Sequence, residues 1–143
     1  MKNTLTEFFK IVLQQSKIAQ SKNEIPVAAL IFNPNTFEII AFDHNKELSN
    51  NDPTAHAEIL VIRKSCHILK QKRLDGLSMI TNMQPCNLCL EAIKSSRIKE
   101  VHYIFENKNP SRKNIKNPKL IQHKIEADNS IKNFFKIKRI SNQ

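Results

Sequence analysis

Two short segments of the chain bring together side chains that bind soft metal ions and a carboxylate that is not needed as a ligand. The segments are His56-Ala57-Glu58 and Pro85-Cys86-Asn87-Leu88-Cys89. Zinc binds imidazole nitrogen and thiolate sulfur, and a catalytic zinc has three protein ligands and a fourth position open to water. If the histidine and the two cysteines are these ligands, Glu58 is left to move protons at the open position. The fold must therefore bring the two segments into contact.

Each segment is predicted to lie at the beginning of a helix. Cys86 and Cys89 are three positions apart, so on a first helical turn both sulfurs lie on one face. A helix N-terminus favours thiolate over thiol because its free N–H groups and its dipole are positive. In the first segment, Asp52-Pro53 is typical of a helix cap followed by a proline in the first turn. The sequence thus predicts a second helix over about residues 53–64.

A closed structural zinc site is the alternative for these ligands. Cys66 and His67 stand next to each other and are the candidates for a fourth ligand. Cys66 lies roughly 15 Å along the predicted helix from His56, at about 1.5 Å per residue. A redox pair is a further interpretation of a lone C-x-x-C. We therefore favour an open site with three ligands, and we expect Cys66 to be a small buried apolar residue.

The charge of the chain favours a polyanionic partner. The 143 residues, which fit one domain over 1–143, include 23 Lys+Arg and 13 Asp+Glu, a formal net charge of +10. The basic residues are concentrated towards the end of the chain: Lys108, Arg112, Lys113, Lys116, Lys119, Lys124, Lys132, Lys136, Lys138 and Arg139. Nucleic acid is the leading candidate, and a solvated basic surface without a partner is the alternative.

Sequence features related to location favour the cytoplasm. The first residues lack the basic and then apolar pattern of a secretory signal. No stretch approaches the roughly 20 apolar residues that span a membrane. The 3 cysteines are an odd number without regular spacing, which does not suggest a disulfide framework. We expect reduced, metal-binding cysteines.

Alternating helical and strand patterns predict an α/β protein. Helices are predicted over about residues 4–21, 53–64, 85–95 and 128–140, and strands over 27–32, 38–43, 77–81, 99–105 and 120–125. Helices between strands indicate a three-layer α/β/α sandwich around a mixed five-stranded sheet. Both metal-binding segments then lie where a strand or loop leads into a helix, where α/β folds hold their active sites.

A family resemblance follows from these motifs and from several shorter ones. The H-x-E and P-C-x-x-C pair is the signature of zinc-dependent nucleobase deaminases. The further pieces are Glu24-Ile25-Pro26-Val27, Asp43-His44-Asn45, Asp52-Pro53-Thr54-Ala55-His56, Ser96-Arg97-Ile98 and Phe134-Phe135-Lys136-Ile137-Lys138-Arg139. Together they resemble the bacterial tRNA-specific adenosine deaminases of the cytidine deaminase superfamily. Gln84 stands where that family usually has Glu, and Asn107 stands where it often has Asp.

The resemblance implies roles for individual residues. The zinc ion, one per subunit, would be held by His56, Cys86 and Cys89, and Glu58 would transfer protons. Asn45 and the Ala57 N–H would contact the base, beside an apolar wall of Ile25 and Pro26. The implied RNA-contacting residues are Asn107, Lys108, Phe134, Phe135, Lys136, Lys138 and Arg139. The implied partner is a tRNA anticodon stem-loop, bound by a homodimer in the cytoplasm.

Two other functions compete with this one. The first is deamination of a free base or nucleoside, such as guanine or cytosine, which needs the same zinc site but not the basic tail. The second is a non-enzymatic RNA-binding protein with a structural zinc. Asn45 and Glu58 argue against the second, because a purely structural site needs neither. The sequence therefore favours hydrolytic deamination of adenosine to inosine in tRNA, at the anticodon wobble position.

Overall fold

A computed structural model describes residues 2–107 and 117–126 of the chain. Within these ranges there are three helices, α1 (Lys2–Ser21), α2 (Ala57–Leu69) and α3 (Asn87–Ser96). The five strands of the same ranges are β1 (Ala28–Phe32), β2 (Ile39–His44), β3 (Ser78–Thr81), β4 (Glu100–Tyr103) and β5 (Lys119–Gln122). The predicted strands are all found, each with slightly different ends.

The strands form one mixed sheet in the order β2-β1-β3-β4-β5. β1 is antiparallel to both β2 and β3, whereas β3, β4 and β5 run parallel to one another. The helix α3 connects β3 to its parallel neighbour β4, as parallel strands require. This arrangement confirms the prediction of a mixed five-stranded sheet in an α/β fold.

Strand β1 shows how the sheet is covered on both faces. Successive side chains of a strand point to opposite faces. Ala28, Leu30 and Phe32 belong to one buried cluster, together with Phe8, Phe9 and Val12 of α1. Ala29 and Ile31 belong to a second cluster, with apolar residues of α2 and α3. Because all five β1 residues are buried, the strand reads as a continuous apolar run. The described elements therefore form three layers, with α1 opposite α2 and α3.

The start of α2 differs from the prediction. Asp52 Oδ1 accepts hydrogen bonds from the backbone N–H and the hydroxyl of Thr54, at 2.9 and 2.7 Å. This local turn uses the Asp52 side chain, and side chains of this kind compete with helix formation. The helix begins only at Ala57, with His56 as its extended N-cap residue, and it continues to Leu69. The predicted range 53–64 was thus placed too early at both ends.

Several predictions lie outside the described ranges. The helix predicted over residues 128–140 is one, and most of the polar segment after β4 is another. That residues 1–143 form one domain stays a prediction. Among the described residues, no helix has both the length and the apolar character needed to cross a membrane.

A buried carboxylate fixes the loop between β2 and α2. The Glu24 side chain is 1% exposed. Its two oxygens accept hydrogen bonds from the backbone N–H groups of Leu48 and Ser49, at 2.9 and 2.8 Å, and from the Ser49 hydroxyl. Burial raises the pKa of Glu24, but these hydrogen bonds outweigh it and leave the pKa below its usual value. Glu24 therefore holds the loop as an ionised acceptor.

We expect Glu24→Gln to lower the free energy of unfolding by about 1–3 kcal/mol, because an amide has one acceptor oxygen and presents its NH₂ group to donors. Urea denaturation of the purified protein measures this change. Glu38→Gln, at an exposed position before β2, serves as the control and should stay within about 0.5 kcal/mol of the parent protein. Equal stability of both variants would show that Glu24 does not anchor the loop.

Candidate metal centre

The two metal-binding segments meet at the beginnings of two neighbouring helices. His56 is the N-cap residue of α2, with φ −70° and ψ 147°. Cys86 is the N-cap residue of α3, with φ −76° and ψ 176°, and Cys89 lies in the first turn of the same helix. The two helices pack against each other on one face of the sheet. Their N-termini, whose first N–H groups have no acceptor within the helix itself, therefore contribute positive potential at the place where the thiols lie.

The separations of the ligand atoms fit a tetrahedral zinc ion. His56 Nδ1 lies 3.6 Å from Cys86 Sγ and 3.4 Å from Cys89 Sγ. The three ligand atoms all lie within 4.8 Å of one another. Tetrahedral zinc, with bonds of roughly 2.0–2.1 Å to nitrogen and 2.3 Å to sulfur, requires N···S separations of about 3.5 Å. The donor set thus suits zinc without rearrangement of the backbone.

The side chains of His56, Cys86 and Cys89 share their protons around one thiolate. A hydrogen bond from Cys89 lowers the pKa of Cys86 to about 4. The hydrogen bond to Cys86 raises the pKa of His56 to about 9, and the same Cys86 sulfur raises the pKa of Cys89. Cys86 therefore carries the negative charge, and its neighbours hold protons against it. Zinc binding displaces such protons, since metal ligands are thiolates and neutral imidazoles.

Glu58 lies beside the ligands without being one of them. It belongs to the first turn of α2 and is 4% exposed. Its carboxyl group forms a hydrogen bond with the Cys89 thiol, and the charges of Cys86 and His56 also affect its pKa. Burial raises the pKa of Glu58. Within the described residues its Oε1 has no hydrogen-bond partner, although a buried polar atom of this kind normally has one. The site thus holds a buried carboxyl group with one oxygen that has no partner among the described residues, and proton transfer by this group stays a prediction.

Asn45 is linked to the metal ligand His56 through Glu47. It directly follows β2, is 3% exposed, and donates its backbone N–H to Val27 O at 2.9 Å. Its Nδ2 donates to Glu47 Oε2 at 2.8 Å, and its Oδ1 accepts the Glu47 N–H at 3.0 Å. The other Glu47 oxygen, Oε1, lies 3.3 Å from His56 Nε2. Sequence inspection missed Glu47, since an acidic residue in a polar loop carries no signal of its partners.

The remaining pocket residues of the prediction occupy different environments. Ala57 is fully buried at the first position of α2, where its N–H has no acceptor within the helix. Pro26 is buried and Ile25 is 40% exposed. Asn82, which the sequence did not single out, holds this wall: its Nδ2 donates to Pro26 O at 2.8 Å and its Oδ1 accepts the Ala28 N–H at 3.0 Å.

Cys66 and His67 do not join the site. Cys66 lies towards the C-terminal end of α2, and its Sγ contacts Lys72 O at 3.8 Å. It is partly buried and packs against the apolar cluster under α2. Among the residues that the structure describes, the metal-binding group consists of His56, Cys86 and Cys89. The alternative of a closed site with a ligand from this pair is therefore wrong for the described part of the chain.

Comparison with known proteins now identifies the family. Residues 2–105 match the cytidine and deoxycytidylate deaminase zinc-binding region. The chain belongs to this family. Its cofactor is therefore zinc, and His56, Cys86 and Cys89 are placed as the zinc site.

Relatives within this deaminase family share most of the chain. The tRNA-specific adenosine deaminase of Buchnera aphidicola subsp. Schizaphis graminum is 36% identical, with 92% of this chain and 94% of the relative covered. The chain spans 61–63% of the length of other tRNA-specific adenosine deaminases that it matches, such as that of Aquifex aeolicus at 40% identity. The chain is thus similar to tRNA-specific adenosine deaminases over its zinc region and, for two relatives from Buchnera aphidicola, over nearly its full length.

Solved structures of the deaminase family share the fold. A structure from a study of A-to-I editing by tRNA:A34 deaminases superimposes with a TM-score of 0.73 at 28% identity, and the match covers 82% of this chain and 98% of that chain. Guanine deaminase from Bacillus subtilis has a TM-score of 0.67 at 26% identity, with 96% and 95% covered. These matches confirm the predicted cytidine deaminase-like fold.

Gln84, which stands where the resemblance to the bacterial tRNA deaminases leads us to expect Glu, binds the backbone that follows β4. Gln84 Oε1 accepts the backbone N–H of Asn107 at 3.0 Å, and the Gln84 N–H donates to Phe105 O at 2.8 Å. Either side chain supplies such an acceptor. Of the residues predicted to contact RNA, Asn107 is described and is held by this bond. The others, Lys108, Phe134, Phe135, Lys136, Lys138 and Arg139, lie outside the described residues.

We expect the purified deaminase to contain one zinc ion per chain, and Cys89→Ser to lose most of it because the hydroxyl is a much weaker zinc ligand than the thiolate. Metal analysis by atomic emission measures the content. Cys66→Ser is the matched control and should retain the full amount. Loss of zinc from the control as well would place a fourth ligand at Cys66 and restore the closed site.

Proposed function

We propose that this protein is a zinc-dependent hydrolase that converts adenosine to inosine in tRNA, at the wobble position of the anticodon. One observation carries the hydrolytic chemistry. The buried Glu58 carboxyl group, which interacts with Cys89, has an oxygen without a hydrogen-bond partner among the described residues. The metal-binding group there has three ligands, so a tetrahedral zinc ion would keep a fourth position for a reactant. The near full-length similarity to a tRNA-specific adenosine deaminase supports the choice of substrate.

The reaction consumes water and releases ammonia. His56, Cys86 and Cys89 would hold zinc, which would lower the pKa of water so that hydroxide is available near neutral pH. Glu58 takes the proton from water and gives it to N1 of the adenine ring, while the oxygen adds to C6. Glu58 then takes the remaining proton from the oxygen added at C6 and transfers it to the amino group at C6. The C–N bond breaks, ammonia leaves, and the base becomes hypoxanthine, the base of inosine.

The residues around Glu58 orient the base in this proposal. The Asn45 amide and the Ala57 N–H contact the polar edge of the purine, and Ile25 with Pro26 forms the apolar wall against its face. The target base must leave its stack to enter such a site. An unpaired anticodon loop makes this less costly than a duplex does. The Ile25 side chain is 40% exposed, which supports a wall that lies at the mouth of the site.

The formal net charge of +10 supports a tRNA partner, because cationic side chains bind the phosphate backbone. We assign the anticodon stem-loop to the basic sequence between Lys108 and Arg139, with Asn107 at its described edge. The proposal includes a homodimer and a cytoplasmic location, as the tRNA substrate and the resemblance to bacterial tRNA deaminases imply.

Deamination of a free base is the second candidate. Guanine deaminase from Bacillus subtilis shares the fold over nearly the whole chain, and a free base would use the same zinc site. Its substrate is neutral, so the basic residues would have no role in binding it. Guanine and cytosine are the free bases to test.

We expect the zinc-loaded protein to form inosine in an anticodon stem-loop with adenosine at the wobble position, and Glu58→Ala to reduce kcat by about 10²–10⁴-fold because proton transfer is lost. Chromatography of the digested RNA measures inosine. Glu7→Ala, at an exposed carboxylate of α1 that pairs with Lys10, is the control and should be fully active. No inosine from the parent protein, together with ammonia release from guanine or cytosine, would favour the second candidate.

We also expect kcat/KM for the stem-loop to fall at least about tenfold between 50 and 200 mM KCl, because several phosphate contacts release counterions on binding. A salt series at fixed pH measures it, with the zinc content determined at each concentration. An unchanged kcat/KM over this range would indicate that the positive charge does not serve RNA binding.

A further inference from the structure

We propose that Glu47 is a positioning residue that orients a zinc ligand and the base-binding residue through one carboxylate. The inference rests on the proposed function, in which His56 binds zinc and Asn45 contacts the base. It assigns to the site a residue whose sequence position in a polar loop gave no indication of this role.

The contact with His56 fixes the ring that binds the metal. His56 Nδ1 faces the two sulfurs at 3.4 and 3.6 Å, while its Nε2 lies 3.3 Å from Glu47 Oε1. A carboxylate at the distal nitrogen holds the proton there and leaves the lone pair of Nδ1 for the metal. Glu47 thereby sets both the tautomer and the rotation of the imidazole.

The contacts with Asn45 fix the direction of its amide. Glu47 Oε2 accepts from Asn45 Nδ2 at 2.8 Å, and the Glu47 N–H donates to Asn45 Oδ1 at 3.0 Å. An amide turned by 180° would present its oxygen to the carboxylate and its NH₂ group to an N–H donor. The pair of bonds excludes that orientation. One N–H and one lone pair of the Asn45 amide then remain for a base.

The loop around Glu47 is held by hydrogen bonds on both sides. The Asp52 N–H donates to Glu47 O at 3.0 Å, and the Lys46 N–H donates to Ala55 O at 3.0 Å. Glu24 accepts the N–H groups of the next two residues. The Glu47 side chain is 25% exposed, so most of it lies inside the site. Its carboxylate is therefore placed by the backbone and can transmit that placement to two neighbours.

A glutamine at this position cannot replace the carboxylate. In this proposal His56 Nε2, which carries the proton when Nδ1 binds zinc, faces one carboxylate oxygen at 3.3 Å, and Asn45 Nδ2–H donates to the other. Glutamine has one acceptor oxygen, so its NH₂ group would face one of the two donors. Aspartate keeps two acceptor oxygens on a side chain that is one methylene shorter. The two substitutions thus separate the need for two acceptors from the need for the full reach.

The first measurement is zinc affinity, which does not depend on turnover. We expect competition with a chromogenic chelator to show about 10–100-fold weaker zinc binding in Glu47→Gln, the usual effect of removing such a carboxylate. Glu47→Asp should recover part of the loss. Glu100→Gln is the matched control, because Glu100 also pairs with a histidine, with 3.8 Å between Glu100 Oε1 and His102 Nε2. Neither residue of this pair is a zinc ligand, so the zinc affinity of this variant should equal that of the parent. Thermal unfolding of each variant shows whether it is folded.

The second measurement is the kinetics of the zinc-saturated proteins on the wobble-adenosine stem-loop. Glu47→Gln should raise KM as well as lower kcat, because Asn45 loses its orientation, and Glu47→Asp should restore part of KM. A folded Glu47→Gln with parent zinc affinity, or with parent KM once saturated, overturns the proposal that one carboxylate orients both residues. If the parent protein makes no inosine, the proposed function fails, and the zinc affinities still decide whether Glu47 positions His56.

Discussion

The meeting of two helix N-termini is the constraint on which the rest of the structure depends. His56 caps α2 and Cys86 caps α3, each with extended backbone, and both helices lie on the same face of the sheet. The N–H groups of the first turns and the helix dipoles then stabilise thiolate at one place. The strand order brings this about, since β1 lies between β2, which precedes α2, and β3, which precedes α3. The strand order, with α2 and α3 packed on the same face of the sheet, thus determines where the metal ligands meet.

The sequence predicted the parts of this arrangement that depend on short-range chemistry. Apolar runs such as 27–32 gave the strands, and the three-residue spacing of Cys86 and Cys89 gave a shared face on α3. The predicted start of α2 was wrong because an aspartate such as Asp52 is suited equally to a helix cap and to a turn. In the structure Asp52 forms the turn, through its hydrogen bonds to Thr54. The extended backbone of His56 then marks the start of the helix.

The interactions that complete the site could not be predicted, because their partners are distant in sequence. Glu24 binds a loop more than twenty residues later, and Asn82 binds backbone groups that lie on β1 and just before it. Neither residue type has a signature that names its partner. Their positions become specific only when the sheet has formed, since β1 and β3 are then adjacent. The apolar core therefore fixes the positions of these buried polar side chains.

The buried carboxylates of the described residues differ in whether their oxygens have partners. Glu24 accepts three hydrogen bonds, and Asp43 is met by the His44 N–H and by two lysines. Both serve the fold, because a buried charge is stable only with partners. Glu58 Oε1 has none within the described residues, and the other such atom there is the uncharged Ser65 hydroxyl. Among the described residues, Glu24 and Asp43 thus have partners for their charge, whereas Glu58 keeps one buried oxygen without any, as the proposed contact with reactants requires.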